Sequence, residues 1–303
     1  MPRRQPTRSA TDVTTVGIVG LGLLGHAVAS RLLAAGHEVI GFDVLAGRVA
    51  AVSALGGKAV KSAAEVAQHA ELVCTLLPSL QTVEEAILGE EGVLAGAHAG
   101  QVVAQMSTIS PALTRQLARE VSARELSFLD CPVSGTSGMV ARGEGVLFVG
   151  GERDVFERCR SALAAILPDP VYVGAAGQAM ALNLVANLLV GLHSAAAAEA
   201  LVLAQKSGLD LDLVVRVLGA GAGGSRMLEV RGPMMVQREF PAQMKLELFM
   251  KDLHLIQDAA ASVGAPLPLT DVAERLYAAA FASGHGDEDL SVVVTALESH
   301  RDA

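Results

Sequence analysis

The sequence predicts an α/β protein in which a doubly wound parallel sheet is followed by an all-α domain. In the first half, short β-branched runs alternate with amphipathic stretches, a pattern typical of a parallel sheet with helices on both faces. After Gly174 almost every segment has helical periodicity, beginning with a long interdomain helix from about Gln178 to Lys206. The runs predicted as strands are residues 15–20, 38–43, 72–77, 101–106 and 127–131, with two further runs at 145–150 and 170–173.

Length and composition agree with two folded domains. A chain of 303 residues corresponds to about two domains. Hydrophobic residues make up 51% of the chain and charged residues 18%, which is typical of a globular protein. We therefore predict a sheet domain over residues 14–175 and a helical domain over residues 176–303. The basic, polar stretch before them predicts a disordered tail over residues 1–13.

Charge and composition argue against several classes of partner. The net charge of −9 disfavours nucleic acids and anionic membranes, which attract basic surfaces. Aromatic residues make up only 3% of the chain and tryptophan is absent, so stacking on bases is not expected. Residues 181–204 are apolar for long enough to span a membrane, but Asn183, Asn187, His193 and Glu199 interrupt them. We interpret this stretch as a long buried helix.

Cysteine usage points to a reducing compartment. Cys74, Cys131 and Cys159 are odd in number and scattered, so we predict buried, reduced thiols and a cytoplasmic protein. No cluster of His, Cys, Asp or Glu has the spacing of metal ligands, and we predict no metal site.

A glycine-rich loop lies between the first predicted strand and the first predicted helix. Its sequence, Gly20-Leu21-Gly22-Leu23-Leu24-Gly25, fits the pattern G-x-G-x-x-G. In this pattern the first glycine permits a tight turn, the second lets the backbone approach a pyrophosphate, and the third allows close helix–strand packing. The first N–H groups of the helix favour an anion. The loop therefore predicts a Rossmann-like, dinucleotide-binding first domain.

Asp43, at the end of the second predicted strand, bears on the choice of dinucleotide. A carboxylate at this position accepts hydrogen bonds from the ribose hydroxyls of NAD and repels the 2′-phosphate of NADP. No arginine follows at once to offset that charge, because Arg48 is five residues further on. We therefore expect NAD as the cofactor, with NADP less favoured.

A second motif resembles that of a known enzyme family. Asp130-Cys131-Pro132-Val133-Ser134-Gly135-Thr136 resembles the D-x-P-V-S-G-G loop of β-hydroxyacid dehydrogenases, which include 3-hydroxyisobutyrate dehydrogenases and tartronate-semialdehyde reductases. The resemblance extends from Val16 to Leu297. Other matching pieces are Leu77-Pro78, Ser107-Thr108-Ile109-Ser110-Pro111, Lys251-Asp252-Leu253 and residues 284–289.

The resemblance implies roles for these residues. Leu77, Pro78, Ser107 and Thr108 would line the cofactor site, and Lys251 would lie near both cofactor and substrate. The resemblance also implies a homodimer or homotetramer. The residues implied to hold the substrate are Ser134, Gly135 and Thr136, the last of which stands where the family usually has glycine. Their hydroxyl and N–H groups suit a carboxylate on the substrate.

The main departure from the family lies on the long helix. The family has a lysine, its general acid–base group, four residues before an asparagine. Asn187 keeps the asparagine position, so Asn183 stands in place of the lysine. Residues four apart share a helix face, and we expect both side chains to face the interdomain cleft. The resemblance therefore implies Asn183, Asn187 and Ser134 as the catalytic set.

Three consequences of the missing lysine are open. An amide donates a hydrogen bond but does not transfer a proton near neutral pH. Another group, such as Lys251 or a water chain, supplies the proton, or the substrate needs none, or turnover is inefficient. The leading function is an NAD-dependent oxidoreductase that transfers a hydride between nicotinamide and a small hydroxy or oxo acid. The alternatives are an imine reductase and a catalytically impaired dinucleotide-binding protein.

Overall fold

The structure, a computed structural model, describes residues 15–299. The predicted tail over residues 1–13 lies outside this range. Among the described residues the first half of the chain forms a nine-stranded sheet. Its strands are β1 (Thr15–Val19), β2 (Glu38–Phe42), β3 (Lys58–Ala59), β4 (Leu72–Thr75), β5 (Val102–Gln105), β6 (Ser127–Asp130), β7 (Val133–Ser134), β8 (Val146–Gly151) and β9 (Val171–Gly174). Neighbouring strands follow the order β3-β2-β1-β4-β5-β6-β8-β7, with β9 paired to β8.

The helices of this region lie between the strands in the chain. The alternation of strand and helix that the sequence predicts is confirmed, and all seven predicted strand runs contain a strand. Two very short strands, β3 and β7, have no periodicity of their own and were not predicted. The helices are α1 (Leu23–Ala34), α2 (Ala46–Ala54), α3 (Ala63–His69), α4 (Leu80–Leu88), α5 (Val93–Gly96), α6 (Pro111–Ser122), α7 (Ser137–Ala141) and α8 (Arg153–Ile166).

The sheet is parallel from β3 to β6 but not throughout. Strand β8 runs antiparallel to both β6 and β7, while β9 is parallel to β8. The prediction of a parallel sheet is therefore corrected at this edge. The segment between β7 and β8 contains only the five-residue helix α7, which is too short for a parallel crossover. Gly143 and Gly145, with φ of +74° and +114°, turn the chain back.

Each face of the sheet has its own hydrophobic core. Side chains alternate along β4, where Leu72 and Cys74 belong to one core and Val73 to the other. Helices α1 and α8 cover the first face, and helices α3 and α6 cover the second. This is the doubly wound arrangement expected when strands are buried on both faces. Cys131 and Cys159 also belong to the first core, and all three cysteines are buried and unpaired.

The long helix α9 runs over Gln178–Lys206, as the sequence predicts. The chain divides into two compact units after Asn183, inside this helix, whereas we predicted the boundary after residue 175. The difference has a local cause. Met180, in the first turn of α9, is fully buried in the second core of the sheet unit, so the start of the helix belongs to that unit.

In the second unit, from residue 184 to residue 299, the regular elements are helices. Their core contains an edge-to-face contact between Phe249 and Tyr277, whose ring centroids are 5.0 Å apart. The Tyr277 hydroxyl donates to the carbonyl of Gly191 on α9 at 2.8 Å. The remaining elements are α10 (Leu211–Gly219), α11 (Arg226–Gln237), α12 (Leu246–Val263), α13 (Pro268–Ala282), a 3₁₀ helix (Leu290–Val293) and α14 (Val294–Ser299).

Helix α9 is less buried than we predicted. It is long and apolar enough to cross a membrane by length and composition, and only 33% of its most apolar window is buried. Leu182, Val185 and Leu189 are each more than one third exposed. These three residues form an exposed apolar stripe, so the interpretation of residues 181–204 as a buried helix is wrong there. The hydrophobic core of the second unit covers only part of the helix.

Candidate functional site

The glycine-rich loop is folded around three sterically distinct glycines. Gly20 has φ +96°, and a Cβ on it would lie 2.2 Å from the carbonyl oxygen of Leu76. A Cβ on Gly25 would lie 2.0 Å from the carbonyl oxygen of Gly20, so both outer positions require glycine. A Cβ on Gly22 would meet only the Arg48 guanidinium, at 3.9 Å, which leaves this side of the loop open to a ligand. The three leucines of the loop are buried, exposed and half-buried in turn: Leu21, Leu23 and Leu24.

Asp43 follows β2 and is held by three donors. Its Oδ2 atom accepts hydrogen bonds from the backbone N–H of Leu21 at 2.8 Å and from Arg48 Nη1 at 3.2 Å. Its Oδ1 atom accepts from the backbone N–H of Leu45 at 2.9 Å. The carboxylate thus ties the glycine-rich loop to the end of β2. The ion pair with Arg48 differs from our expectation that this arginine is too far along the chain to offset the charge.

Two more loops at the carboxyl ends of strands are tied together beside β1. The backbone N–H of Leu77, which precedes Pro78, donates to Ser107 Oγ at 2.8 Å. Ser107 Oγ in turn donates to the carbonyl of Thr75 at 3.2 Å. The side chain of Gln105 bonds both the N–H and the C=O of Ser107. These predicted cofactor residues therefore belong to one hydrogen-bonded edge, where ligands bind in open α/β sheets.

The predicted substrate loop begins on β7 and ends at helix α7. Ser134 pairs with Val146 across the antiparallel strands. Thr136 is the N-cap of α7, and its Oγ1 accepts a hydrogen bond from the backbone N–H of Met139 at 3.2 Å. Thr136, which we expected to stand where the family has glycine, thus has a structural role as a helix cap. Its hydroxyl proton remains a donor, so capping does not preclude the predicted contact with a substrate.

Asn183 is fully buried and lies against the loop that follows β5. Its Nδ2 atom donates to Thr108 Oγ1 at 3.3 Å. Its Oδ1 atom has no hydrogen-bond partner among the described residues. A buried amide oxygen without a partner is costly, by about 1–3 kcal/mol, so an acceptor is available for a ligand that carries a donor. The structure thereby places Asn183 beside Thr108, a predicted cofactor residue.

Asp130 anchors the first turn of α9 and was not in the predicted site. Its Oδ2 atom accepts hydrogen bonds from the backbone N–H groups of Gly177 at 2.8 Å and Met180 at 3.0 Å. Burial raises the pKa of Asp130 to about 6, although these bonds act in the opposite direction. Asp130 ends β6, four residues before Ser134, and fixes the turn that precedes Asn183. It therefore connects the substrate loop to the helix within the first unit.

In the second unit, Asn187 and Lys251 are held by the same carboxylate. Asn187 Nδ2 donates to Asp252 Oδ2 at 3.0 Å, and Lys251 Nζ lies 3.1 Å from Asp252 Oδ1. Asp252 is almost fully buried, and burial raises its pKa while Lys251 and Asn187 act against that shift. One buried carboxylate thus orients two predicted site residues, one on α9 and one on α12.

The sequence analysis did not identify the hydrogen-bond partners of the predicted site residues. Asp130 and Asp252 are part of the motifs Asp130-Cys131-Pro132 and Lys251-Asp252-Leu253, but nothing in one sequence assigns them a hydrogen bond. Arg48 was considered and set aside on spacing alone. Among residues 15–299 no group of three or more His, Cys, Asp or Glu side chains is arranged to hold a metal ion.

Comparison with known protein families covers both units. Residues 15–174 match the model described as the NAD-binding domain of 6-phosphogluconate dehydrogenase. Residues 176–297 match the model described as NAD-binding of NADP-dependent 3-hydroxyisobutyrate dehydrogenase. Together these matches extend over nearly all the described residues.

Individual relatives agree with these matches. The 2-(hydroxymethyl)glutarate dehydrogenase of Eubacterium barkeri is 34% identical, over 93% of this chain and 94% of the relative. The crystal structure of 3-hydroxyisobutyrate dehydrogenase from Salmonella typhimurium is 33% identical, with a TM-score of 0.86 over 93% of this chain and 99% of that one. An imine reductase from Streptomyces aurantiacus is 21% identical, with a TM-score of 0.63 over 93% and 99% of the two chains, and shares the fold alone.

The glycine-rich loop, the D-x-P-V-S-G motif and both family models thus lead to the same assignment. The chain belongs to the β-hydroxyacid dehydrogenase family, whose members are NAD(P)-dependent oxidoreductases that act on CH–OH groups.

Proposed function

We propose that this protein catalyses the NAD-linked interconversion of a small hydroxy acid and its oxo acid, with Asn183 in the position of the family's lysine. The observation that carries the proposal is the contact of Asn183 with Thr108, since it puts a buried amide beside the loop predicted to hold the cofactor. Asn187, four residues later, supports the same alignment.

The first unit fits a nicotinamide dinucleotide. The open side of Gly22, between two positions that require glycine, leaves room for a pyrophosphate. The N–H groups of the first turn of α1 favour its charge. Asp43 would hold the adenosine ribose, and the loops of Leu77 and Ser107 would line the rest of the site. When bound, the nicotinamide ring supplies or accepts the hydride.

The substrate is proposed to carry a carboxylate. Ser134, Gly135 and Thr136 offer hydroxyl and backbone donors that suit such a group. In the second unit Lys251 is paired with Asp252, and the family resemblance implies it as a further cation for either ligand. Relatives that act on 2-(hydroxymethyl)glutarate and 3-hydroxyisobutyrate support a small hydroxy acid without choosing among them.

Asn183 is proposed to orient the substrate and polarise its carbonyl rather than to transfer a proton. Loss of a general acid typically lowers the rate by about 10²–10⁴-fold. The protein is therefore proposed to use water or Lys251 as the proton source, or to turn over slowly, as a catalytically impaired dinucleotide-binding protein would.

A second candidate function is imine reduction. The unpartnered Oδ1 atom of Asn183 favours it, because an amide oxygen accepts a hydrogen bond from the N–H of a protonated imine. A protonated imine also needs no further acid at its nitrogen. The substrate loop, which suits a carboxylate, favours the hydroxy acid instead.

We also propose that the protein is a homodimer or homotetramer and acts in the cytoplasm. The exposed apolar stripe on α9 supports association, because a stripe of this kind is usually covered by a partner. The three buried, unpaired cysteines support a reducing compartment.

A substrate panel tests the proposed function. The purified protein is assayed by absorbance of the reduced cofactor against small hydroxy acids, their aldehydes and cyclic imines, with NAD(H) and NADP(H). We expect turnover of at least one hydroxy acid or semialdehyde, reduced by Asn183→Ala and unchanged by Gln116→Ala, an exposed amide on α6. Turnover of imines alone would establish the second candidate. Cofactor binding without turnover of any compound would leave the impaired homologue.

A further inference from the structure

Arg48 is brought next to Asp43 by the start of helix α2. The helix begins at Ala46, and the backbone N–H of Arg48 donates to the carbonyl of Leu45 at 3.0 Å in its first turn. This turn carries the Arg48 guanidinium back over the end of β2, to 3.2 Å from Asp43 Oδ2. A separation of five residues along the chain therefore becomes direct contact.

The ion pair between Arg48 and Asp43 changes the net charge at the end of β2, beside the glycine-rich loop. An isolated Asp43 carboxylate would repel a 2′-phosphate, which is the physical basis for expecting NAD. Here the carboxylate already accepts from the N–H groups of Leu21 and Leu45, and it is paired with a permanent cation. The pair has no net charge, so most of the repulsion is offset.

The two partners differ strongly in exposure. The side chain of Asp43 is 4% exposed and that of Arg48 is 49% exposed. Guanidinium has five N–H donors in a planar fork, and among the described residues Asp43 is the one hydrogen-bond partner of this side chain. Arg48 Nη1 also lies 3.9 Å from the position of a Cβ on Gly22. The cation thus stands at the open side of the glycine-rich loop with donors to spare.

We propose that Arg48 sets the coenzyme specificity of this protein by making both NAD and NADP acceptable. When NAD binds, Arg48 screens the charge of Asp43. When NADP binds, Arg48 offers its remaining N–H donors to the 2′-phosphate. The inference rests on the proposed function only in that a dinucleotide must bind to the glycine-rich loop. Arg48 is thus the residue that makes NADP acceptable despite Asp43.

Binding measurements on the full-length protein test this without any substrate. Dissociation constants for NADH and NADPH are measured by cofactor fluorescence for the natural sequence, Arg48→Ala and Arg119→Ala. Arg119 is an exposed arginine in the last turn of α6, so its removal changes the net charge equally. We expect Arg48→Ala to weaken NADPH binding about 10-fold or more, because a charge-assisted contact is lost. NADH binding should change less than about 3-fold, and Arg119→Ala should change neither.

A pair of shorter ligands isolates the phosphate contact. Adenosine 2′,5′-bisphosphate and 5′-AMP are used as competitors of bound NADH, and only the first carries a 2′-phosphate. Arg48→Ala should weaken the bisphosphate and spare 5′-AMP. In Asp43→Asn, which keeps an acceptor but removes the charge, NADPH should bind more tightly than to the natural sequence. That gain should be lost in Asp43→Asn combined with Arg48→Ala.

The outcomes separate this inference from the proposed function. NADH binding with no measurable NADPH binding to the natural sequence would overturn the role of Arg48 and leave the dehydrogenase intact. Equal weakening of NADH and NADPH by Arg48→Ala would also overturn it, since the arginine would then act on a part shared by both. Failure of both dinucleotides to bind the folded protein would overturn the proposed function itself.

Discussion

At the scale of single residues, the proposed chemistry depends on Asn183, which the proposal aligns with the family's lysine. Asn183 has the hydrogen-bonding capacity of an amide, and one of its donors is directed to Thr108. An ammonium group at the same position would keep a donor for Thr108 and add a transferable proton. The position is fully buried, so a lysine there would also have its pKa lowered by desolvation, toward the range of a useful general acid.

The substitution Asn183→Lys should therefore raise turnover of a hydroxy acid substrate by up to about 10²–10⁴-fold, the range of a general acid. Asn183→Met is the matched control, because it has similar length without the amine, and it should lower turnover or leave it unchanged. Initial rates with saturating NAD, alongside thermal melting to verify folding, measure the effect. A folded Asn183→Lys variant with no gain would contradict the assignment of this position to the proton donor.

Sequence reasoning could name candidate site residues but not the hydrogen-bond partners that hold them. The glycine-rich loop, Asp43 and Asn183 could be predicted because each has a fixed spacing from a strand or from another motif residue. Arg48 could not, because its reach depends on where α2 begins. Asp252 could not, because its bond to Asn187 joins two helices that are far apart in the chain.

At the scale of elements, the first turn of α9 is held by the buried carboxylate of Asp130. Asp130 accepts two backbone N–H groups from this turn, and its Oδ1 atom has no partner among the described residues. The sequence predicted the helix bounds from periodicity but not this anchor. It also predicted the strands near 145 and 170 without their orientation, because the direction of β8 is determined by the short chain reversal through α7 rather than by the strand's own residues.

The pKa of Asp130, raised from 3.8 to about 6, predicts a pH-dependent stability. The folded protein binds the proton of the Asp130 carboxyl more tightly than the unfolded chain does. The contribution of Asp130 to the free energy of unfolding is therefore most favourable at low pH and is lost as pH rises from about 4 to 6. Asp130→Asn keeps an oxygen for both N–H groups and does not ionise. Relative to that of the natural sequence, the free energy of unfolding of this variant should rise by about 2 kcal/mol between pH 4.5 and pH 8.

Urea unfolding at the two pH values measures this difference. Asp130→Ala serves as the comparison, because it removes both hydrogen bonds and should be destabilised at pH 4.5 as well. A difference between Asp130→Asn and the natural sequence that is the same at pH 4.5 and pH 8 would show that the carboxylate does not titrate in this range.

At the scale of the whole molecule, the net charge and the exposed apolar surface lead to opposite expectations about self-association. The net charge of −9 favours a chain that stays dispersed in water, yet α9 exposes apolar side chains along one stripe. Leu182, Val185 and Leu189 are 38%, 57% and 46% exposed, at spacings of three and four residues. Such spacing puts them on one face of the helix, where a second copy of the chain could cover them.

We expect light scattering at micromolar concentration to give a mass about two or four times the 31.1 kDa of one chain. Val185→Glu puts a charge in the middle of the apolar stripe and should shift the population toward the monomer, because an unpaired charge is costly to bury at an interface. Leu55→Glu is the matched control, since Leu55 is 47% exposed after α2 in the first unit, and it should leave the mass unchanged.

A monomeric natural sequence would contradict the proposed association and leave the stripe on α9 facing solvent. Equal dissociation by both variants would place the interface elsewhere, because the effect would then follow the added charge and not its position.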